Sequence, residues 1–573
     1  MRYNIIYISL LLLLAGCFYA QAQRANGWLF GGGAGLTWNT KQSLAVTGIN
    51  TGNATLTGLP TPLDPGTTLP IKTSEGCFVV SDESGNLMFY SDGITIWDRN
   101  HEPMPNANGD LTGHSSSAHS GIVMPVVGDD KKYYVFTLGA DENKIGLLLG
   151  HVSVSLPELA YSVVDMNLNG GKGDVVEGKK NIPIRKSTYL PNANPVDINT
   201  ICEQVSVVKH ANGKDFWLAA ISTESSGAYA NFDDLSPLTP ECTSSLHIWL
   251  VDKDGVTLKS TTPIMKKYTY SKNLPRGQFK FDLTGKYFAW ATRPYDRVYL
   301  GEFNTSTGQV SKVRYITVKK AEASFEANPY GVEFSKSGKN LFYDTHKFTT
   351  AVKVDELMNM TPDATGKVTP ITIKELDKTL KGGGMEADYN GYAALQMGPD
   401  GRIYAPAHHN DEYEEKHPGY DKLFIIDNPE EENFNNLLLY RTPANFFGPN
   451  REVRMGLPTY CASWVLPAET GAITGNSSFC RSTNQSFSLS ITNGTGAEAI
   501  SRVEWNFGDG SNIVTDTNID AQTKSHTYTQ RGSYTITVIG YKADGAMAFT
   551  RLLTVKVNSC RLPVNHNLST VMP

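Results

Sequence analysis

"FDLTGKYFAWA" (281–291) is the stretch that decides the fold of this chain. An apolar segment runs into a polar turn that contains Gly285, and an aromatic-rich segment follows it. The turn residues supply a positive φ or an Asx-type hydrogen bond, and the flanks alternate as half-buried strands require. The stretch therefore predicts a β-hairpin.

The same pattern recurs along the chain before residue 466. The other copies are "SDESGNLMFY" (81–90), "VVGDDKKYYVF" (126–136), "KHANGKDFWLA" (209–219), "FSKSGKNLFYD" (334–344) and "MGPDGRIYAPA" (397–407). Further strands fit into the longer gaps, which gives about four strands per unit, and such repetition in an all-β chain indicates a WD40-like β-propeller. At about 60 residues per unit we predict about seven blades, with six or eight left open.

Two local features complete this region. We expect the strand near "GWLFGGGAGLTWN" (27–39) to complete the last blade and close the ring. Helix is scarce, and "VDELMNM" (354–360) predicts at most one or two turns.

A second domain follows the repeats. Near residues 466–478 the apolar periodicity stops and small polar residues take over. Beyond them Val503, Trp505 and Phe507 share one face of a strand, and the spacing of further short strands predicts a small β-sandwich. We divide the chain into a signal segment (1–22), a propeller (27–466), a linker (467–478), the sandwich (479–560) and a tail (561–573).

The N-terminus is a targeting segment with two processing alternatives. Arg2 precedes an apolar run too short to span a bilayer. "LAGC" (14–17) matches a bacterial lipobox and predicts lipidation of Cys17, whereas "AQAQ" (20–23) offers a signal peptidase site before Gln23. Both alternatives predict an exported protein.

Six cysteines remain after Cys17, and an even number in an exported chain predicts disulfides. Cys480 and Cys560 bracket the sandwich and form the first predicted pair. Elimination leaves Cys202–Cys242 and Cys77–Cys461, with buried thiols as the alternative.

Composition and motifs exclude several functions. The net charge of −6 leaves no basic footprint for nucleic acid. The glycine loops at 30–36 and 169–174 lack nucleotide-binding signatures. His114 and His119 lie among serines without a nucleophile elbow, so we assign no catalytic residue. The densest group of metal-ligand types, for which we favour a solvated loop, is "HHNDEYEEKH" (408–417), with candidates His408, His409, Asp411 and His417.

The sandwich resembles a PKD domain, an immunoglobulin-like fold common on bacterial surface proteins. The resemblance is carried by "WNFGDGS" and "SHTYTQRGSYTITV" (525–538). It implies structural roles for Trp505, Phe507, Gly508, Asp509, Gly510, His526, Tyr528, Gly532 and Tyr534. We expect Asp509 to bond nearby backbone amides within a turn. We predict no cofactor, and a calcium role is left open because some PKD domains bind calcium, although one carboxylate is too few for a closed site.

The whole chain resembles exported Bacteroidetes proteins with a propeller and a PKD domain, which are linked to type IX secretion or gliding. The shared phrases include "EGCFVVSDESGNLMFYSDGITIWDRN" and "YSVVDMNLNGGKGDVVEGKKN". Relatives continue into a C-terminal sorting domain, which this sequence lacks, and lipid anchoring at Cys17 is then the expected mode of attachment.

These observations predict a non-enzymatic binding or scaffold protein of the cell envelope. The expected location is the outer membrane or cell surface, with secretion as the alternative. The expected partner is an envelope protein or a surface glycan, bound on a propeller face, and the membrane itself through the lipid anchor. An exported hydrolase or lyase acting on polysaccharide and a secreted adhesin are the alternatives.

Overall fold

The computed structural model describes residues 23–82, 84–140, 158–186, 188–190, 197–226, 241–269, 274–318, 328–345, 348–377, 393–407, 421–464, 473–489, 491, 500–517, 519, 522–542 and 547–559. Cys17, the metal candidates His408, His409, Asp411 and His417, and Cys560 lie outside these ranges, as do the signal segment and the tail. The chain divides into two compact units between Pro467 and Ala468.

The first unit consists of antiparallel sheets in chain order. Its N-terminal strands are β1 (Gly27–Phe30), β2 (Ala34–Gly48) and β3 (Ala54–Pro62). One sheet follows with β4 (Cys77–Ser81), β5 (Leu87–Ser91) and β6 (Ile96–Asp98). The next has β7 (Gly121–Val126), β8 (Asp129–Leu138), β9 (Glu158–Asp165), β10 (Asp174–Val175) and β11 (Ile182–Lys186).

The remaining sheets of this unit are also built of antiparallel strands. They contain β12 (Thr188–Leu190), β13 (Asp197–Lys209), β14 (Phe216–Ser226), β15 (Glu241–Asp252) and β16 (Gly255–Thr269); β17 (Phe279–Phe281), β18 (Tyr287–Ala291), β19 (Arg297–Asn304) and β20 (Gln309–Thr317); β21 (Val332–Phe334), β22 (Asn340–Asp344), β23 (Phe348–Lys353) and β24 (Ile373–Asp377); and β25 (Gln396–Met397), β26 (Ile403–Pro406), β27 (Leu423–Ile426) and β28 (Leu439–Arg441). One short helix, α1 (Val354–Asn359), confirms the prediction for 354–360. Single 3₁₀ turns lie at Pro105–Ala107, Asn169–Gly171, Phe434–Asn436 and Ala462–Trp464.

All six predicted hairpins are confirmed. They are the β4–β5, β7–β8, β13–β14, β17–β18, β21–β22 and β25–β26 pairs. In "FDLTGKYFAWA" the turn brings Phe281 opposite Phe288, and Gly285 has a φ of +75°. The hairpin is thus the repeating unit of the fold.

The sheets follow one another as the blades of a β-propeller. The first strands pack in series, β4 on β7, β7 on β13, β13 on β17, β17 on β21 and β21 on β25, while β1 packs on β4. The strands β1–β3 belong to the last sheet, which they join through the β2–β28 pairing, and the ring centroids of Trp28 and Tyr404 are 5.7 Å apart. The described residues of this unit form six sheets, one of the alternatives to seven blades that the sequence left open.

The N-terminal strands join the last sheet, as expected, and a C-terminal strand adds a closure that the sequence did not predict. The strand β29 (Pro458–Thr459) pairs in parallel with β4 and so adds the C-terminal end of the unit to the first four-stranded sheet. The N-terminal strand β2 joins the last sheet where Thr47 and Gly48 pair with β28. A two-residue strand is too short to show the alternation by which strands are identified in sequence.

The second unit is a sandwich of two sheets. One contains β30 (Thr474–Gly475), β32 (Asn484–Leu489) and β35 (Gln522–Thr527). The other has the order β31 (Ser478–Cys480), β37 (Met547–Asn558), β36 (Gly532–Lys542), β33 (Ile500–Asn506) and β34 (Val514–Asp516). The predicted inward face of Val503, Trp505 and Phe507 is confirmed, because all three side chains are buried in one core.

Two of the predicted disulfide pairings are wrong. Cys77, Cys202, Cys242 and Cys461 are buried thiols. Cys202 lies on β13 and Cys242 on β15, with β14 between them, so about 10 Å separates the two strands, more than a disulfide spans. Cys77 lies opposite Pro458 in the pairing of β4 with β29, and its Sγ atom contacts the Leu29 carbonyl oxygen at 3.3 Å.

Cys480 is the last residue of β31 and lies opposite Asn558 on the paired strand β37. Cys560, its predicted partner, lies outside the described residues, so this pairing stays a prediction.

Candidate functional site

One face of the propeller gathers the polar groups of several blades. We call it the loop face: the side from which the chain runs into the first strand of each sheet. Because antiparallel strands alternate in direction, the connections between second and third strands return to this same face. Hydrogen bonds between the two kinds of connection confirm their proximity, as where the Arg276 amide donates to the Arg293 carbonyl oxygen at 2.5 Å.

Four blades place a polar side chain at the same position of the loop face. Glu75, Arg276 and Tyr330 each precede a glycine that leads into β4, β17 or β21, and Glu203 holds the corresponding place before Gln204 on β13. The glycines permit close approach of neighbouring blades: a Cβ on Gly76 would lie 2.4 Å from the Ser120 nitrogen, and one on Gly331 2.3 Å from the Ala393 oxygen. The backbone geometry thus places one polar residue from each of these four blades near the centre of the ring.

These residues meet across the mouth of the propeller channel. The Tyr330 hydroxyl donates to Oε2 of Glu75 at 2.5 Å, although the two residues belong to blades far apart in the chain. Oε1 of Glu75 accepts from the Ser116 hydroxyl at 3.5 Å, and Oε2 of Glu203 accepts from the Ala118 amide at 3.0 Å. We name this set the mouth cluster; its members are Glu75, Ser116, Glu203, Arg276, Arg293 and Tyr330.

The electrostatics of the mouth cluster centre on Glu75. Burial, followed by repulsion from Glu203, raises the pKa of Glu75 to about 8, against the opposing effects of Tyr330, Arg276 and Arg293. Glu75 is therefore largely protonated at neutral pH. Burial and the adjacent Glu75 also raise the pKa of Tyr330, which keeps its hydroxyl a hydrogen-bond donor.

A second group lies deeper, along the channel. The Lys280 ammonium donates to Oε2 of Glu333 at 2.7 Å, to the Leu395 carbonyl oxygen at 2.5 Å and to Oε1 of Gln396 at 2.8 Å. We name Lys280, Glu333, Gln396 and the nearby His119 the channel cluster. Burial lowers the pKa of Lys280, against the attraction of Glu333. The ion pair joins three blades inside the ring.

His119 completes the lining of the channel. Its Nδ1 lies 2.8 Å from the Val205 carbonyl oxygen, and burial, then the Lys280 charge, lowers its pKa to about 3. Its buried Nε2 has no hydrogen-bond partner among the described residues. It borders a cavity of about 30 Å³ beside Lys280, Glu333 and Tyr460, which has room for a single water molecule.

The sandwich residues hold a structural motif. Oδ1 of Asp509 accepts from the Ser511 amide at 3.1 Å, as predicted for this turn, and Oδ2 contacts Nε2 of His526 at 2.8 Å. The His526 ring stacks on Phe507 with centroids 4.1 Å apart.

The aromatic members of the motif continue inward from this pair. The Tyr528 hydroxyl donates to the Phe507 carbonyl oxygen at 2.9 Å, and its ring stacks on Tyr534 at 4.8 Å. Trp505 is fully buried, and Gly532 opens β36. Both oxygens of Asp509 are therefore occupied within the sandwich.

Metal-binding groups and membrane-spanning helices are both absent from the described ranges. No group of three or more histidine, cysteine or acidic side chains is placed to hold a metal ion in this part of the chain. Of the helices that the structure describes, none combines the length and apolar character that a membrane crossing requires.

The mouth cluster was not predicted from the sequence, because its residues come from separate blades and form no local motif. One signal was present: a polar or aromatic residue repeats before glycine at the start of the hairpins, in "EGCFVV" (75–80), "RGQFKF" (276–281) and "YGVEFS" (330–335).

Comparison with known protein families identifies the second unit. The PKD domain family model matches residues 467–557. No curated protein matches the chain significantly.

Solved structures similar to the chain include a protein from Lactobacillus plantarum (9% identity, 67% of this chain and 98% of that one, TM-score 0.31). Others are the β-propeller domain of Cps50 (Swd1) from Myceliophteria thermophila (10%, 77% and 97%, TM-score 0.29) and TolB from Acinetobacter baumannii (12%, 65% and 63%, TM-score 0.26). Similarities this weak carry no argument about function. The chain is an all-β protein in which a β-propeller precedes a C-terminal PKD domain.

Proposed function

We propose that this protein is an exported, non-enzymatic binding or scaffold protein of the cell envelope, and that it binds an envelope protein or a surface glycan on the loop face. The PKD domain is consistent with export. A propeller offers a rigid frame on which connections can vary, and binding residues are disproportionately found on such connections.

The observation that carries the proposal is an asymmetry between the two faces. On the loop face β8 ends at Leu138 and β9 begins at Glu158, and comparable separations lie between β14 and β15 and between β24 and β25. On the opposite face, which we call the turn face, most connections are short, such as those between β15 and β16 and between β19 and β20. The strand ends that flank these long separations and the mouth cluster therefore lie on the same face.

Affinity capture with matched variants tests this proposal. Full-length protein, immobilised and mixed with envelope extract from the cells that produce it, is compared with Arg276→Ala/Arg293→Ala on the loop face and Lys214→Ala/Lys253→Ala on the turn face. We expect a specific partner that the turn-face variant retains and the loop-face variant loses. Capture that is equal for both variants, or no capture by the unaltered protein, would refute the proposal.

We also propose a cellular location for the protein and one disulfide. We infer that Cys17 carries a lipid anchor at the outer membrane, with association to type IX secretion or gliding machinery, and that Cys480 pairs with Cys560. The register of Cys480 with Asn558, two residues before Cys560 in sequence, supports the disulfide. Mass spectrometry of the mature protein tests both features: a diacylated Cys17 and a linked 480–560 peptide are expected, and an N-terminus at Gln23 would contradict the anchor.

A second candidate, an exported polysaccharide hydrolase or lyase, is favoured by one observation. Burial, followed by the nearby Glu203, raises the pKa of Glu75, and a carboxyl group with a raised pKa beside a second carboxyl group is the arrangement used in acid–base catalysis. Release of reducing or unsaturated sugar ends from surface polysaccharide, abolished by Glu75→Gln, would establish this function in place of the first.

A further inference from the structure

We propose that Lys280 and Gln396 of the channel cluster join in an intramolecular isopeptide bond, with Glu333 as the group that carries the proton between them. The bond links β17 to β25 and fixes two blades of the propeller to each other. The inference concerns the ring itself and does not depend on a partner at the loop face. No sequence motif or family comparison assigns a covalent modification to these residues.

The three side chains meet at hydrogen-bond distance in the interior of the ring. Nζ of Lys280 lies 2.8 Å from Oε1 of Gln396, so the amine lies beside the amide carbonyl group that it attacks. The exposed fraction is 8% for Lys280, 4% for Glu333 and 5% for Gln396, so water is largely kept from the three groups. Because the amine and the amide are held together, the reaction is intramolecular and needs no encounter in solution.

One oxygen of Glu333 contacts both nitrogens that take part in the reaction. Oε2 lies 2.7 Å from Nζ of Lys280, the attacking nitrogen, and 3.3 Å from Nε2 of Gln396, the leaving nitrogen. The Phe334 amide donates to Oε1 at 3.0 Å and the Met397 amide donates to Oε2 at 2.9 Å, which holds the carboxylate in place. The carboxylate can therefore take a proton from one nitrogen and give a proton to the other, as general acid–base catalysis requires.

The reaction starts from the ion pair that the structure shows. The Lys280 ammonium transfers one proton to Glu333, and burial favours this step because it lowers the pKa of Lys280, against the attraction of Glu333. The neutral amine then forms a bond from Nζ to Cδ of Gln396, and the π electrons of the carbonyl group move to Oε1. Collapse of this intermediate re-forms the carbonyl group and breaks the Cδ–Nε2 bond, while Glu333 passes one proton from Nζ to the leaving nitrogen.

The products balance the reactants. A lysine ammonium and a glutamine amide become one isopeptide bond and one ammonium ion, because the released ammonia takes the proton held by Glu333, which returns to a carboxylate. No oxidant or other reactant is required. The cavity of about 30 Å³ that these three side chains help to line has room for one molecule of the size of water, and therefore for the departing ammonia.

The bond constrains the chain over a long distance. Lys280 and Gln396 are 116 residues apart in the sequence, and a covalent link across such a length restricts the unfolded chain, as a disulfide does. The described cysteines of the propeller are free thiols. The isopeptide bond therefore supplies a covalent constraint that these cysteines do not.

Mass spectrometry of the full-length protein, reduced and purified without a cross-linking reagent, tests the inference. The intact mass should be lower than the sequence mass of the mature chain by one molecule of ammonia. Tryptic digestion should yield residues 277–286 and 382–402 as one linked species, without cleavage after Lys280. Cyclisation of an N-terminal glutamine also releases ammonia, so the linked peptide and not the intact mass identifies the isopeptide bond.

Matched variants identify the groups that react. Lys280→Met, Gln396→Met and Glu333→Gln should each lack the linked peptide, and on a reducing denaturing gel each should migrate differently from the cross-linked, unaltered protein. Lys312→Met removes an exposed lysine that pairs with Glu302, and it should retain the linked peptide. Circular dichroism shows which variants are folded. The linked peptide of the unaltered protein decides the question even where a variant does not fold.

Three outcomes would overturn the inference. The first is an unaltered protein that trypsin cleaves after Lys280 and in which residues 382–402 are unlinked, since the ion pair is then the final state. The others are attachment of Lys280 to a residue other than Gln396, and a linked peptide that persists undiminished in folded Glu333→Gln. None of these results affects partner capture at the loop face, so this inference and the proposed function can fail independently.

Discussion

Gly508 shows at the scale of one residue how the sandwich motif works. Its φ is +77°, a left-handed conformation that side chains disfavour, and a Cβ there would lie 2.4 Å from the Thr535 carbonyl oxygen. Gly510 in the same turn has a φ of +85°, but a Cβ there would meet no atom within 4 Å. Comparing substitutions at the two glycines therefore separates the effect of backbone strain from the effect of steric overlap.

We predict that Gly508→Ala destabilises the PKD domain by about 2 kcal/mol or more, because strain and overlap act together. Gly510→Ala, the matched control, should cost about 1 kcal/mol from strain alone. Hydrogen exchange of the β33 and β36 amides in the full-length protein measures both. Equal effects of the two substitutions would show that the overlap with Thr535 has no role.

At the scale of elements, the Lys280 ammonium joins the first strands of three blades. It lies on β17, its partner Glu333 lies on β21, and Gln396 lies on β25. Both charged side chains are buried, with 10% and 5% of their surfaces exposed. A buried charge that loses its partner is strongly destabilising, whereas an exposed ion pair contributes little.

We predict that Lys280→Met destabilises the propeller by about 3–5 kcal/mol, because the Glu333 charge is left buried without its cation. Lys280→Met combined with Glu333→Gln should be less destabilised than Lys280→Met alone. Lys312→Met, which removes the exposed partner of Glu302, should change stability by less than about 1 kcal/mol. Chemical denaturation of the three variants compares them, and similar losses at Lys280 and Lys312 would contradict the buried-pair argument.

At the scale of the molecule, ring closure depends on a short segment at the end of the first unit. β29 pairs with β4, and the Thr459 hydroxyl donates to the Cys77 carbonyl oxygen at 3.1 Å. Tyr460, Cys461 and Trp464 are buried in the propeller core just beyond it. The propeller is thus closed by residues that lie next to the domain boundary.

We predict that a chain of residues 23–467 folds cooperatively, because it contains every strand of the propeller that the structure describes. A chain of residues 23–456 lacks β29 and the buried residues after it, and should melt at a lower temperature or aggregate, since the first four-stranded sheet keeps an unpaired edge. Circular dichroism and thermal melting of both chains test this. Similar melting temperatures would show that β29 does not close the ring.

The sequence by itself determined the repeating hairpin and the all-β class. Each of these depends on neighbouring residues: alternation and turn chemistry are local, and so is the turn at Gly508–Gly510. The sandwich motif was recognisable for the same reason, because Trp505, Phe507 and Asp509 are contiguous and His526 follows shortly after. Ring closure by β29 was not predictable, because two residues carry no periodicity.

The tertiary structure decided the candidate site and the state of the cysteines. Glu75 and Tyr330 meet only because the ring brings distant blades to a common centre, and no spacing in the sequence encodes that distance. Cys202 and Cys242 are kept apart by the strand between them, which cysteine counting could not show. The candidate site therefore forms only when the ring of blades is closed, whereas each hairpin of the fold is determined by its own residues.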